Sequence, residues 1–244
     1  MSTRVALITG ANKGIGLEVA RRLGAVGVTV LAGARSAERG AAAVTALRAE
    51  GADAHVLRLD VTDEASVTAA AKLIEGEHGR LDILVNNAGI AYSGGWFTAA
   101  ETPVSEMRGV YETNVFGVVA VTNAMLPLLR QAPAGRVVNV SSDLGSLTWA
   151  SDPEHPYYGA NLLAYNSAKT AVNAITVSYA KDLRDTPIKV NAANPGYCAT
   201  DLNGHTGVRS AAEGAAEVVR LAQLPAEGPT GGFYGSGADG PIPW

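Results

Sequence analysis

The stretch that decides the fold lies near the start of the chain and reads Val5-Ala6-Leu7-Ile8-Thr9-Gly10-Ala11-Asn12-Lys13-Gly14-Ile15-Gly16. Its first four residues are apolar without alternation, which is typical of a strand buried on both faces. The three glycines permit a tight turn and a close approach of backbone to a diphosphate, and a helix over residues 15–26 would offer free N–H groups to phosphate. The stretch therefore predicts a nucleotide-binding turn. A purely structural glycine turn is the alternative, because the chain has 28 glycines.

The same succession of apolar runs and helix-like segments continues along the chain. Strands are predicted over residues 5–8, 28–32, 55–59, 81–85, 136–140 and 188–192, with a possible seventh near 232–234. Helices are predicted over residues 15–26, 36–50, 63–78, 103–130, 160–184 and 209–223. Repeated strand–helix units with short connections predict one α/β domain over residues 1–244. Its expected architecture is a Rossmann-type, doubly wound parallel sheet of about seven strands with helices on both faces.

Composition excludes several other classes of protein. Hydrophobic residues make up 47% of the chain and charged residues 17%, which is incompatible with a disordered protein. The net charge of −4, from 19 basic and 23 acidic residues, argues against a nucleic-acid partner. One cysteine and four well-separated histidines predict neither a disulfide framework nor a metal site. The short apolar run at the start and the lack of a long apolar run predict a cytoplasmic protein with no membrane span.

Polar motifs follow the predicted strands, at the sheet edge where ligands bind in doubly wound folds. In chain order they are the T-G-x-x-x-G-x-G turn, Asn86-Asn87-Ala88-Gly89, Thr113-Asn114, Val140-Ser141-Ser142, Tyr165-Asn166-Ser167-Ala168-Lys169, and Asn194-Pro195-Gly196 with Thr200. Together they resemble the short-chain dehydrogenase/reductase family over essentially the whole chain. The segments 12–16 and 213–215 together with Arg35 are most similar to its carbonyl reductase branch, which includes plant menthone and salutaridine reductases.

Tyr165 and Lys169 are four residues apart on a predicted helix, so their side chains share one face. A lysine cation beside a phenol would lower the phenol pKa and make it a general acid or base, whereas an isolated pair of this kind is commonly a surface pair. The resemblance implies that Tyr165 donates a proton to a carbonyl oxygen and that Ser142 orients this oxygen. It also implies that Lys169 holds the nicotinamide ribose and that Asn114 holds a water linking Lys169 to solvent.

The resemblance also implies NADP(H) as the cofactor. NAD-dependent enzymes commonly carry an acidic residue at the end of the second strand, and this chain has Arg35 there, with Lys13 in the glycine turn as a second cation. The alternatives are exposed cations without a ligand and an Asp60 that only caps a helix. The implied cofactor residues are Gly10, Asn12, Lys13, Gly14, Ile15, Gly16, Arg35, Asp60, Val61, Asn87, Ala88, Gly89, Tyr165, Lys169, Pro195, Gly196 and Thr200.

The segment 143–164, between Ser142 and Tyr165, is longer than in many relatives and carries Trp149, Tyr157 and Tyr158. Its ends are tied to catalytic positions, so its rings are expected to form an apolar wall favouring flat or cyclic carbonyl compounds. The predicted substrate residues are Ser142, Trp149, Tyr157 and Tyr165. A surface loop whose rings cover nearby apolar surface is the alternative. The carbonyl reductases that the chain resembles carry a longer insertion at this place and are monomers, so a monomer is expected here.

The sequence is compatible with three functions. The first is reduction of a small ketone, aldehyde or quinone by NADPH. The second is a dedicated ketoreductase of fatty-acid, polyketide or other secondary metabolism, which would need basic residues such as Arg209 and Arg220 to dock an acidic carrier protein. The third is a nucleotide sensor without turnover, which the intact positions Ser142, Tyr165 and Lys169 disfavour.

Overall fold

The computed structural model describes residues 3–95, 97–235 and 240–244. Within these residues all seven strands lie in one parallel sheet, in the order β3-β2-β1-β4-β5-β6-β7. The strands are β1 Val5–Thr9, β2 Thr29–Ala34, β3 Ala54–Arg58, β4 Ile83–Asn86, β5 Arg136–Val140, β6 Lys189–Asn194 and β7 Phe233–Gly235. The strand predicted near 232–234 is therefore present and forms one edge of the sheet.

Helices connect the strands. They are α1 Gly14–Ala25, α2 Ala37–Ala49, α3 Glu64–His78, α4 Val104–Tyr111, α5 Gly117–Leu129, α6 Leu147–Ala150, α7 Leu163–Asp182 and α8 Ala211–Ala222. Short 3₁₀ turns lie at Asp143–Gly145 and Asp201–Asn203. Several helices begin at hydroxyl or carboxylate caps, as Ser36 and Asp63 show by accepting from backbone N–H groups of the first turn.

The sheet separates two hydrophobic clusters, as a doubly wound fold requires. On one face, Ile8 and Val30 of the sheet pack with Leu23 of α1 and Leu221 of α8. On the other face, the strands pack against side chains of α3, α5 and α7. The chain leaves β1 toward β2 on one side and later returns as β4 on the other. The crevice at this reversal is where such folds bind ligands.

The helix predicted over residues 103–130 is interrupted. Residues Glu112–Phe116 form a π-helical turn between α4 and α5, and Asn114 lies within it. Such wide turns commonly mark functional sites, because the extra residue redirects a side chain out of the helical register. The combined segment Val104–Leu129 is long and apolar enough to span a membrane, but more than half of its apolar window is buried within the fold.

Candidate active site

A cleft of about 1540 Å³ follows the carboxyl ends of β1 to β6. Its walls include the glycine turn at one end and the segments carrying Ser142, Tyr165 and Lys169 at the other. Of the positions predicted from sequence, the wall includes Gly10, Asn12, Lys13, Gly14, Ile15, Arg35, Asp60, Val61, Asn87, Ala88, Gly89, Ser142, Tyr157, Tyr165, Lys169, Pro195, Gly196 and Thr200. Gly16, Asn114 and Trp149 lie outside it.

The glycine turn is held against the end of β4. Gly10 has φ +66°, which favours glycine, and a Cβ there would lie 3.1 Å from the Ala88 backbone. Gly16 is required for close packing, since a Cβ would lie 2.4 Å from the Asn87 amide nitrogen. That nitrogen donates to the Thr9 carbonyl at 2.9 Å. Gly16 therefore shapes the turn without facing the cleft.

The start of α1 is suited to an anionic ligand. The residue at its N-cap is Lys13, whose side chain has no oxygen to accept the free N–H groups of the first turn. Gly14, which has φ +56°, and Ile15 both line the cleft, so the start of α1 faces it. A helix N-terminus with this exposure attracts phosphate through its donors and its dipole.

Cations collect at the same end of the cleft. Arg35 follows β2, and Arg39 lies in the first turn of α2; both line the cleft. Among the described residues no carboxylate forms a salt bridge with either arginine. Lys13 instead pairs with Asp201 at 2.5 Å across the cleft. Sequence reasoning missed Arg39, which the expected helix over 36–50 would have placed beside Arg35.

Asp60 and Asp63 have separate roles. Asp63 is the N-cap of α3 and accepts from the Ala65 N–H at 3.0 Å. Asp60 lines the cleft, and its carboxylate accepts from the Thr62 N–H and hydroxyl at 3.1 and 2.7 Å. Asp63, and not Asp60, is therefore the cap of α3, and the adenine contact expected of Asp60 stays a prediction.

Tyr165 and Lys169 share one face of α7, as predicted, and both line the cleft with Ser142. The Lys169 ammonium lies 5.6 Å from the centroid of the Tyr165 ring. It donates to the Val140 carbonyl at 2.7 Å and is buried. The end of β5 therefore holds Lys169 and Ser142 together, since Ser142 follows Val140 by two residues.

The pKa values of this pair differ from the sequence-based expectation. Burial raises the pKa of Tyr165 to about 12; the Ser142 hydroxyl opposes this rise and the charge of Asp143 adds to it. Burial also lowers the pKa of Lys169 to about 8. The expectation of a lowered phenol pKa is wrong for this structure, because Lys169 donates to a backbone carbonyl and desolvation dominates. A neutral phenol remains a competent proton donor.

Asn114 lies behind the cleft. Its side-chain amide accepts from the Ile90 N–H at 2.9 Å and donates to the Ile90 carbonyl at 2.8 Å. A Cβ on Gly89 would lie 3.3 Å from the Asn114 oxygen and 3.7 Å from the Lys169 nitrogen. Asn114 thus joins the π turn to the end of β4, close to Lys169.

The rings of the segment 143–164 do not all face the cleft, and the aromatic wall expected from them stays a prediction. Tyr157 lines the cleft, but Trp149 packs beside Phe233 and Ile242 and stacks on His155, with ring centroids 4.8 Å apart. The wall instead includes Tyr92 and Phe97 from the connection after β4. Nothing periodic in that connection marks these two rings, although its position after a parallel strand was a usable signal.

The connection after β4 is anchored by the buried carboxylate of Glu106 in α4. It accepts from the Ser93 N–H and hydroxyl at 2.5 and 2.8 Å and from the Gly94 N–H at 2.6 Å. Burial alone would raise the pKa of Glu106, but these hydrogen bonds together hold it below its ordinary value. Glu106 therefore fixes the wall that carries Tyr92 and Phe97.

Glu106→Gln is expected to lower the free energy of unfolding by about 1–3 kcal/mol at neutral pH, because it removes charge-assisted hydrogen bonds from a buried site. Since the folded pKa of Glu106 is lowered, its contribution is complete above the unfolded pKa of about 4.3 and is lost as pH falls through the folded value. Denaturant titrations of the wild type and of Glu106→Gln should give free energies of unfolding that converge at acid pH. The exposed control Glu112→Gln should match the wild type throughout; equal stability of Glu106→Gln at neutral pH would contradict the assignment.

The family is settled by comparison with known proteins. A family model described as short chain dehydrogenase matches residues 4–209. The chain belongs to the short-chain dehydrogenase family. This dehydrogenase is 37% identical to human carbonyl reductase [NADPH] 1, over 94% of the chain and 95% of the relative.

Two solved structures are similar over the whole fold. One is the NADPH-bound carbonyl reductase from chicken fatty liver, with TM-score 0.85, 27% identity and full coverage of both chains. The other is salutaridine reductase from Papaver somniferum, with TM-score 0.82, 30% identity and coverage of 95% and 99%. The expected fold and the expected carbonyl reductase-like branch of the family are confirmed.

Proposed function

We propose that this dehydrogenase transfers a hydride from NADPH to the carbonyl carbon of a small ketone, aldehyde or quinone, with Tyr165 as proton donor. The observation that carries the proposal is the joint placement of Ser142, Tyr165 and Lys169 in one cleft whose other end is rich in cations. The similarity to carbonyl reductases whose names specify NADPH supports it.

The cleft fits a phosphorylated dinucleotide. The diphosphate would lie at the start of α1 and the backbone around Gly10, and the adenine would lie beside Asp60 and Val61. A 2′-phosphate would meet the guanidinium groups of Arg35 and Arg39, which suit a phosphate group. The Lys13 ammonium would add to them by exchanging its salt bridge with Asp201 for the phosphate. The sugar and amide of the nicotinamide would lie between Lys169 and the stretch from Pro195 to Thr200. When bound, the nicotinamide supplies the hydride.

The protein's own residues supply orientation and a proton. Ser142 orients the carbonyl oxygen by a hydrogen bond, and the neutral phenol of Tyr165 gives its proton to that oxygen as negative charge develops there. The phenolate left behind is stabilised by the neighbouring Lys169 ammonium. We further propose that Asn114, adjacent to Lys169 through Gly89, positions the water that returns the proton.

Two alternative functions have less support. A carrier-dependent ketoreductase would need a basic patch, but of its two candidate residues Arg220 makes a salt bridge with Glu217 at 2.6 Å, which leaves Arg209 alone among them without a carboxylate partner in the described residues. A nucleotide sensor would leave Ser142 and Tyr165 without a role, since only Lys169 of the three is assigned to cofactor binding.

The test of the proposed function is a panel of quinones, aromatic aldehydes, cyclic ketones and terpenoid ketones, assayed with NADPH beside carrier-bound β-ketoacyl substrates. Oxidation of NADPH by free carbonyl compounds is expected. Turnover of carrier-bound substrates alone would favour the second function, and binding of NADPH without any turnover would favour the third.

We also propose that residues 1–244 act as one domain, because every strand of the described residues belongs to a single sheet. A cytoplasmic location is expected as well. A monomer is expected because the segment 143–164, which is longer than in many relatives, precedes the helix that relatives use to pair subunits. Light scattering at low micromolar concentration should give the mass of one chain, and a stable tetramer would contradict this expectation.

A further inference from the structure

A second cavity, here called the side pocket, adjoins the cleft at its catalytic end. It has a volume of about 410 Å³ and is lined by the segment 143–164 and the start of α7. Asp143 and Tyr157 line both cavities, so they form the boundary between them. The side pocket is therefore placed to receive whatever part of a substrate extends beyond the reacting carbonyl.

The Asp143 carboxylate is hydrogen-bonded to Ser142, the residue proposed to orient the substrate carbonyl. Its Oδ1 accepts from the Ser142 hydroxyl at 3.0 Å and from the Leu144 N–H at 3.0 Å. Both of these hydrogen bonds between described residues end on the same carboxylate oxygen. Burial raises the pKa of the Asp143 carboxyl, against the lowering effects of Ser142, Leu144 and the charge of His155.

This geometry directs the Ser142 proton away from an incoming carbonyl. A hydroxyl has one proton to donate, and the Ser142 hydroxyl lies 3.0 Å from the Asp143 carboxylate as well as beside the Tyr165 phenol, so an incoming carbonyl must compete for that proton. A carbonyl oxygen must compete with a carboxylate, which is the stronger acceptor. A substrate that brings its own donor to Asp143 would satisfy the carboxylate and release Ser142 for the carbonyl.

The side pocket provides a lining suited to a flat group. The Trp149 and His155 rings are stacked, and Tyr157 lies beside His155 with ring centroids 5.8 Å apart. Asn166, also in the lining, has a buried amide oxygen without a hydrogen-bond partner among the described residues. A buried polar atom of this kind is costly unless a ligand or water satisfies it.

We propose that Asp143 is a specificity-determining residue which accepts a hydrogen bond from a hydroxyl on the carbon next to the reacting carbonyl. The preferred substrates are then α-hydroxy ketones whose flat or cyclic remainder enters the side pocket. The inference rests on the proposed reduction of carbonyl compounds and adds the substrate class. The spacing fits, because neighbouring hydroxyl and carbonyl oxygens are separated by about the length of the Ser142–Asp143 hydrogen bond.

The test compares α-hydroxyacetophenone with its methyl ether, α-methoxyacetophenone, which retains the ring and the oxygen but lacks the donor. The wild type should reduce the hydroxy ketone with a kcat/KM at least about tenfold higher, as expected for a hydrogen bond to a charged group. In the apolar Asp143→Leu the ratio should fall toward one, and in Asp143→Asn, whose amide oxygen still accepts but carries no charge, it should fall part of the way. The kcat/KM for the methyl ether should rise, because Ser142 no longer donates to a carboxylate.

A control and a binding measurement separate recognition from damage to the fold. Glu154→Gln removes an exposed carboxylate of the same segment, outside the lining of both cavities, and should keep the wild-type ratio. Calorimetry of the NADP⁺ complexes, in which no reduction occurs, should show the same preference as the kinetics, its weakening in Asp143→Asn and its loss in Asp143→Leu.

Three results overturn the inference. A wild-type ratio near one overturns it while leaving the proposed reduction of carbonyl compounds intact. If a folded Asp143→Leu keeps the preference for the hydroxy ketone, the inference is also overturned and the proposed reduction again stays intact. A failure of the wild type to reduce either ketone, or any carbonyl compound of the panel, rejects the proposed function and the inference with it.

Discussion

Tyr165→Phe is expected to reduce kcat by about 10²–10⁴-fold, the range for loss of a general acid. The substitution removes the phenol hydroxyl, whose raised pKa of about 12 keeps it protonated at neutral pH. The ring is retained, so the packing of α7 and the ribose contact assigned to Lys169 should persist. Steady-state kinetics with a carbonyl substrate measures the loss, and fluorescence titration should show NADPH binding within a few-fold of the wild type.

Tyr179→Phe provides a matched control for that experiment. Tyr179 lies on the same helix, and its hydroxyl donates to Asn123 at 2.7 Å outside the cleft. It should retain wild-type turnover. Lys169→Ala, by contrast, should weaken both turnover and NADPH binding. Near-normal kcat in Tyr165→Phe would show that the proton comes from another group.

Arg35→Asp is expected to lower kcat/KM for NADPH by about a hundredfold or more, while kcat/KM for NADH changes little or rises. The substitution replaces a cation by an anion at the place assigned to the 2′-phosphate, so it removes a charge-assisted interaction and adds repulsion. NADH has no phosphate there and is not affected by this repulsion. The ratio of the two kcat/KM values, measured with one carbonyl substrate, gives the result.

The control for this charge reversal is Arg184→Asp. Arg184 is exposed and lies outside the cleft, so the same change in net charge should leave the cofactor preference unaltered. The effect at Arg35 should also weaken at high salt, because the interaction is largely exposed to solvent. Equal use of NADH and NADPH by the wild type would remove the basis for the assignment.

The sequence predicted the sheet well because buried parallel strands are continuous apolar runs. Each predicted strand lies within two residues of an observed one, and the order follows from short strand–helix connections. The π turn at Glu112–Phe116 was not predictable, since its residues continue the helical pattern on both sides. Within this turn Asn114 pairs with Ile90, a contact between separate segments of the chain that a local pattern does not reveal.

The site, like the fold, could be predicted only in part from the sequence. Motifs at strand ends were brought into one cleft because the ends of parallel strands share an edge. Trp149 lines the side pocket rather than the cleft. The sequence could not distinguish the two, because nearness to Ser142 does not fix the direction of a side chain in an irregular segment. The pKa of Tyr165 was predicted in the wrong direction, since the spacing of Tyr165 and Lys169 reveals their shared face but not the burial that dominates the titration.

The central claim is direct hydride transfer to a carbonyl carbon, with the proton supplied by Tyr165. The most direct test uses NADPH deuterated at the transferred position and analyses the alcohol product by mass spectrometry. The account predicts one deuterium on the carbinol carbon, formed by the wild type and almost lost with Tyr165→Phe. Oxidation of NADPH without deuterium in the product, or equal deuterium transfer rates in the two proteins, would contradict it.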